Sequence, residues 1–486
     1  MKKKFIVIFF ISLLLISAFL GCREGDSGKE SPFKVEKRSE GEGDIPVISM
    51  EEDKKDKEEE TSEQEPPLIV VNTEGDTEYE PIDLEPEEYL WDFESRIFSK
   101  ETASEEEAVL AFAGDISFAE GYSNMSKLHD NNDDINTVIK PEVMKGIKEA
   151  DIFMVNNEFP YSNRGSKNEG KTFSFRARPE SVRFLKDMEV DIVSLANNHA
   201  FDYGEEALID SMDILKEADI PFVGAGHNIS EAMQPVYFKV NKKLLAITSA
   251  TQIERTGNPE SKEATESSAG VLRTLNAEKM VKCIKEAEEK ADFVIVFVHW
   301  GSENTDLVEA SQRELAKKYV EAGADAVIGA HPHCLQGIDY VEGVPVFYSL
   351  GNFWFNSRRV DTGYLKLTLN TSGEDCSIKE LRFVPCIQNG LTTSLANEDE
   401  AKRICEYIQG ISNHASISQD GVISYSEQDN NIQNGQNTSP SKDFIKKQDE
   451  VPENQENPEG LSDPAALLNQ LPLPEGTADE TISQGQ

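Results

Sequence analysis

Ala326-Val327-Ile328-Gly329-Ala330-His331-Pro332-His333-Cys334 is an apolar run of strand composition that stops abruptly and hands over to two imidazoles. The proline between them fixes its own φ and pushes His331 toward extended geometry, so the strand end should present two histidines in nearly fixed directions. Four other segments finish in the same way: Leu110-Ala111-Phe112-Ala113-Gly114-Asp115, Phe153-Met154-Val155-Asn156-Asn157-Glu158, Val193-Ser194-Leu195-Ala196-Asn197-Asn198-His199 and Val294-Ile295-Val296-Phe297-Val298-His299. Each strand of buried type delivers a metal-capable side chain at its carboxyl end.

Helical patterns alternate with these strands, at 141–150, 179–188, 205–218, 277–291 and 312–322, and Leu208, Met212 and Leu215 repeat at helical spacing. This βαβα order implies parallel strands and an α/β class. Stretches 236–240 and 244–248 flank Asn241-Lys242-Lys243 as a hairpin. Antiparallel ribbons therefore join the parallel set, which predicts packing of two sheets. Residues 251–270 are polar and read as an exposed loop.

The chain has 486 residues and a formal net charge of −42. Residues 23–107 hold 30 acidic against 10 basic side chains and residues 415–486 hold 13 against 3, so the two flanks account for −30 of it. These flanks read as disordered acidic tails, 23–107 as a tether, because they cannot bury enough apolar surface to offset the entropy of ordering. The span 108–414 reads as the folded domain. A short patch, Leu90-Trp91-Asp92-Phe93 to Ile97-Phe98, could dock on it as a helix. No basic stripe accompanies the acidity, which argues against nucleic acid as a partner.

The first 22 residues read as an export signal: Lys2-Lys3-Lys4, an apolar run from Phe5 to Leu20, then Gly21 before Cys22. The alternatives are a transmembrane anchor or a buried helix; the run is short for a span and Arg23 to Asp26 are polar. The Gly-Cys junction resembles the lipobox of bacterial lipoproteins, with Phe19-Leu20 a departure from the usual residues there. That resemblance implies acylation of Cys22 and a lipid anchor on the extracytoplasmic face of the cell membrane. The other five cysteines show no CxxC spacing, which indicates neither a structural zinc site nor a disulfide scaffold, though a pair such as Cys376 with Cys386 could bridge outside the cell.

In open α/β sheets, ligands meet side chains just past the carboxyl ends of parallel strands. Asp115, Glu158, Asn198, His199, His299, His331 and His333 all stand there, and they include four of the seven histidines. Such a mixed oxygen and nitrogen set suits Zn, Mn or Fe and is too nitrogen-rich for calcium or a simple magnesium site. Glu158 could bridge two ions, as two-metal hydrolytic sites require. Asp202, three residues after His199, can orient that imidazole as a general acid, or can instead cap the turn at Gly204.

Taken in order, Gly114-Asp115, Asn156-Asn157-Glu158, Ala196-Asn197-Asn198-His199-Ala200-Phe201-Asp202-Tyr203-Gly204, Gly224-Ala225-Gly226, His299-Trp300-Gly301-Ser302-Glu303, Gly323-Ala324-Asp325, Gly329 to Gly337 and Tyr348-Ser349-Leu350-Gly351-Asn352-Phe353 closely resemble the CapA (PgsA) family of bacterial capsule and poly-γ-glutamate synthesis proteins. The match runs over roughly 108–390. It implies a calcineurin-like metallophosphoesterase fold, a four-layer α-β-β-α sandwich, holding two divalent ions. By that likeness Asp115 and His333 serve one metal, Asn198, His299 and His331 the other, Glu158 bridges, and His199 is the acid. Glu303 would line the substrate cleft, or be a plain surface carboxylate.

Two departures stand out. Phosphoesterases of this class often carry a histidine two residues after the first Asp, and here Ser117 leaves that metal site short of a ligand. A basic residue often follows Gly-Asp, whereas this chain has Phe118-Ala119-Glu120, so anion recognition falls to Arg176 or Arg178 unless these are surface residues. The resemblance implies a membrane-tethered protein of capsule synthesis or export, its partners an anionic polymer or phosphorylated substrate and membrane synthase or export subunits. Two readings stay open: a metal-dependent hydrolase, or a scaffold that binds metal and polymer without turnover. A hydrolase of peptidoglycan-linked or small phosphorylated compounds is a third.

Overall fold

A computed structural model describes residues 91–253 and 261–427. The expected export signal, Cys22 and most of both acidic flanks lie outside the described residues. Among the described residues no helix is long and apolar enough to cross a membrane.

The near-continuous apolar runs become strands buried on both faces, as parallel sheets require. Phe293–His299 lies between Lys243–Thr251 and Ala326–Ala330, parallel to both, and Val344–Phe347 follows in the same direction. Side chains alternate across a strand, and the alternation sorts this one cleanly. Phe293, Ile295 and Phe297 enter one core with Phe238, Ile247 and Ile328. Val294, Val296 and Val298 enter another, with Met280 and Ile284 of the helix Glu278–Glu288 and Leu315 and Tyr319 of the helix Ala310–Ala322.

A second sheet is built on Glu107–Ile116, Ile152–Asn157, Ile192–Ser194 and Phe222–Val223, all parallel, with Val360–Asn370 and Ser377–Asn389 added antiparallel. Its Leu110, Phe112, Met154 and Ile192 share the core that holds Phe297 and Ile328. Its Ala111, Ala113, Phe153 and Val155 pack instead with Met144 and Ile147 of Pro141–Lys148 and Leu208, Met212 and Leu215 of Glu205–Glu217. The molecule is therefore mixed α/β, and residues of both sheets meet in one core. Each fully buried Leu, Ile or Phe there contributes about 1.5–3 kcal/mol.

Strands also fall outside 108–414. Ile97–Lys100 pairs in parallel with Val236–Val240, and Phe98, 1% exposed, packs on Phe93 and Phe238. Over its described residues the patch at 90–98 thus docks as strand, in Trp91–Asp92 and Ile97–Lys100, and not as helix, because Val236–Val240 offers it a ladder of unpaired backbone groups. At the other end Ala415–Ile417 and Val422–Tyr425 form a hairpin on Ser377–Asn389, where the composition reads as tail.

The segment 251–270 is not simply an exposed loop: Ser261, Ala264 and Ala269 are buried, and Gly270–Val271 pairs with Ala225–Gly226. The five cysteines among the described residues are free thiols. Cys376 precedes and Cys386 lies within the strand Ser377–Asn389, so extended backbone holds them roughly 30 Å apart and no bridge between them can form.

Candidate metal centre

The carboxyl ends of both sheets supply one cluster. Glu107–Ile116 carries Asp115 as its next-to-last residue, Ile152–Asn157 runs into Glu158, and Ile192–Ser194 leads to Asn197 and Asn198. From the other sheet, Phe293–His299 ends on His299 and Ala326–Ala330 leads to His331 and His333. Gly114 lets the chain pass where a Cβ would lie 1.8 Å from Gly351 O, and Asp115 N–H donates to that carbonyl at 3.0 Å.

His331 does not take the extended geometry expected before Pro332. Its φ is 99°, and that of His333 is 58°, both in the region L-residues avoid. Such conformations cost on the order of 1–3 kcal/mol each and persist where surroundings over-determine them. Here the two imidazoles turn inward, His331 Nδ1 to 3.0 Å from His299 Nε2 and His333 Nδ1 to 3.1 Å from Asp115 Oδ2.

Two groups of ligand atoms result, each within 4.8 Å: Glu158 with His299 and His331, and Asp115 with Glu158 and His333. Glu158 belongs to both. Its Oε1 is buried and has no hydrogen-bond partner among the described residues, while His299 Nε2 lies 3.5 Å and His199 Nε2 4.0 Å away. His299 Nε2 also faces Asn198 Oδ1 at 2.7 Å and His331 Nδ1 at 3.0 Å. One imidazole N–H can satisfy only one of these acceptors. An orphaned carboxylate oxygen among converging lone pairs is the environment a divalent cation fits, and the donor set is that of Zn, Mn or Fe.

Electrostatics divides the ligands. Burial, then the charge of Asp115 beside it, hold the Glu158 carboxyl well above the ordinary carboxylate range. Burial pushes His299 down to about 3 and, with His299 and His333 adjacent, drives His331 well below 6.5. Burial opposes charge on Asp115 and His333 too, yet their mutual hydrogen bond and attraction win, lowering the first and raising the second.

His199 stands at the edge. Its Nδ1–H donates to Asp202 Oδ2 at 2.6 Å, and Asp202 also accepts from Phe175 N–H at 2.7 Å and from the Lys171 ammonium at 2.5 Å. Asp202 therefore orients the imidazole and ties the loop that carries Phe175. Burial lowers His199, Asp202 pulls it back up, and Lys171 lowers it again. The 3.3 Å approach of Lys171 Nζ to Nδ1 sets donor against donor and is a repulsion; the ammonium bonds instead to Asn198 O at 2.5 Å and to Asp202.

A family description, "Bacterial capsule synthesis protein PGA_cap", matches residues 109–357. This chain belongs to that family. PGA biosynthesis protein CapA of Bacillus subtilis (strain 168) is 30% identical to it over 290 residues, 59% of this chain and 74% of that protein. Capsule biosynthesis protein CapA of Bacillus anthracis is 35% identical over 238 residues, 47% of this chain and 56% of that protein. Every ligand candidate of the PGA_cap family member, from Asp115 to His333, falls inside the matched span.

A cavity of about 490 Å³ opens beside the cluster, lined by Asn198, His199, His333 and Glu303 among others. Arg176 lies outside that lining: its guanidinium stacks 4.1 Å from the Tyr203 ring centroid and donates to Arg164 O. Arg178 pairs with Glu120 at 3.3 Å. Both arginines brace the loop they sit on. Sequence reasoning missed Asn156, whose amide joins Asp115 Oδ1 at 2.7 Å to His299 Nδ1 at 3.2 Å, and Asn352, whose Oδ1 lies 2.8 Å from His333 Nδ1. It missed Lys171 as well. The quoted motifs contained both asparagines, but only packing reveals what an amide bridges.

Proposed function

We propose that this PGA_cap protein is a two-metal, phosphoesterase-type hydrolase of calcineurin-like, four-layer α-β-β-α architecture, acting in the synthesis or export of an anionic capsule polymer such as poly-γ-glutamate. Its N-terminal signal and Cys22 would tether it, lipid-anchored, to the extracytoplasmic face of the membrane beside synthase or export subunits. The observation that carries the reading is the orphaned Glu158 oxygen shared by two ligand groups.

Asp115, Glu158 and His333 would hold one divalent ion, and Glu158, Asn198, His299 and His331 the other. A bound pair supplies an activated water and charge stabilisation. The chain's own residues do the rest. Asp202 fixes His199 with Nδ1–H committed, so Nε2 is the atom that, once it has taken up a proton from solvent, would pass it to the leaving oxygen. Asn156 spaces the Asp115 carboxylate from the His299 ring. Phe175, its ring centroid 4.3 Å from that of His199, keeps water off one face of the imidazole.

One observation favours the scaffold reading: Ser117 is buried with its hydroxyl accepting from Ala119 N–H, so it adds no imidazole to the Asp115 half. The two readings separate in one experiment. Purified protein is analysed for metal and assayed for phosphodiester and phosphomonoester hydrolysis with Mn, Zn and Fe. Two ions per chain, and turnover that disappears in His199→Ala, are expected. Polymer binding that survives the same substitution, with no turnover by the wild type, would establish the scaffold instead.

A further inference from the structure

The cavity beside the cluster has two cationic side chains in its lining, Lys171 and Arg358. The Lys171 ammonium is buried and already bonded to Asn198 O and Asp202. Arg358 is different. It is exposed, one guanidinium nitrogen donates to Asn304 Oδ1 at 2.6 Å, and among the described residues no carboxylate lies within ion-pair distance of it. We infer that Arg358 is the specificity-determining residue of this cavity, its free guanidinium edge receiving a carboxylate or phosphate oxygen pair on the substrate away from the group that meets the metal centre. The inference rests on the proposed reading of this cavity as the substrate site.

An exposed arginine ordinarily needs no ligand to explain it. Two tethers set this one apart, because both fix it relative to the candidate metal ligands. The first is its own loop. Gln388, fully buried, accepts from Phe355 N–H at 2.9 Å and donates to Asn356 O at 2.8 Å and Arg358 O at 3.0 Å. Phe355, the first residue of that loop, lies with its ring centroid 4.7 Å from that of His333. The second tether runs through Asn304, whose backbone N–H donates to Pro332 O, between His331 and His333, at 2.8 Å. A buried glutamine thus holds the backbone of Arg358, and a histidine-loop carbonyl holds the asparagine to which its guanidinium donates.

Such preorganisation matters for binding, because a planar fork already in place loses little entropy when it closes on a two-oxygen anion. It also meets a need set by composition. A chain of net charge −42 repels anionic substrates unless local cations reverse the field, and Arg176 and Arg178 are occupied elsewhere.

The test uses the full chain, with calorimetric titration of two probes, a γ-linked glutamate pentamer and inorganic phosphate, into wild type, Arg358→Gln, Arg358→Lys and Asn304→Ala. Metal content is measured for each. Arg358→Gln should weaken at least one probe about tenfold or more, the size of a charge-assisted pair, with metal content unchanged. Loss confined to the pentamer identifies a carboxylate as the recognised anion, and loss confined to phosphate identifies a phosphoryl group. Arg358→Lys should recover only part of the loss, since a point charge lacks the fork. Asn304→Ala should cost less than Arg358→Gln. Wild-type binding that Arg358→Gln leaves intact, or a change in its metal content, overturns the assignment of Arg358 alone. A wild type that binds neither probe overturns it together with the proposed function.

Discussion

Glu158 separates two halves of unlike character. On one side His299 and His331 are buried and held neutral beside Asn198. On the other, Asp115 and His333 have satisfied one another, the carboxylate lowered and the imidazole raised. A cation entering the first half meets imidazoles that carry no extra proton, and must displace the one that burial favours on Glu158. One entering the second must displace the proton His333 shares with Asp115, so its uptake is coupled to pH.

The largest effect expected belongs to neither half. Lys171→Met takes the counter-charge from the buried Asp202 carboxylate, leaving it only the His199 and Phe175 N–H donors, and breaking a buried pair costs about 3–5 kcal/mol. A loss of unfolding free energy of this size, read from denaturant titration, is expected; an unchanged value would mean that Asp202 relaxes to solvent. Next, His299→Ala should cut cation affinity at the first half by about 100-fold or more while the second half still binds, which titration with a metal-sensitive dye would resolve. Equal loss at both sites would erase the distinction between them.

Acid and base should then act on the halves in opposite directions in the metal-free protein. His299 and His331 are lowered on folding, so below 6.5 the unfolded chain takes up protons that the folded one refuses, and stability falls with falling pH, toward about 3 for His299. His333 is raised, so its contribution is complete below 6.5 and is lost as pH rises through its folded value. Each group contributes a slope of about 1.4 kcal/mol per pH unit where it is active. His331→Gln should flatten the acid limb and Asp115→Asn the neutral-to-alkaline one, read from denaturant midpoints between pH 5 and 8. The smallest effect is that of Asn352→Ala, which removes a partner of His333 and should weaken the second half about tenfold, leaving the first untouched.

The strands were legible because apolar runs bounded by polar turns have few other readings, and Phe293–His299 has the bounds its composition indicates. The cluster was legible where a metal-capable side chain sits at a strand end. Asn156, Asn352, Lys171 and Arg358 were not, because an amide or a cation takes its role from what lies across the fold, tens of residues away. Ile97–Lys100 was read as part of a docking helix because it is short and sits among acidic residues; a partner strand more than a hundred positions on makes it a strand. The inward turn of His331 was hidden by Pro332, whose local preference yields here to the pull of the cluster.

Metal stoichiometry of Glu158→Gln tests the shared centre most directly. Removing one oxygen charge from the residue common to both groups should empty both, dropping the two ions per chain expected of the wild type to nearly none. A variant that keeps its full metal content would contradict a centre organised around Glu158.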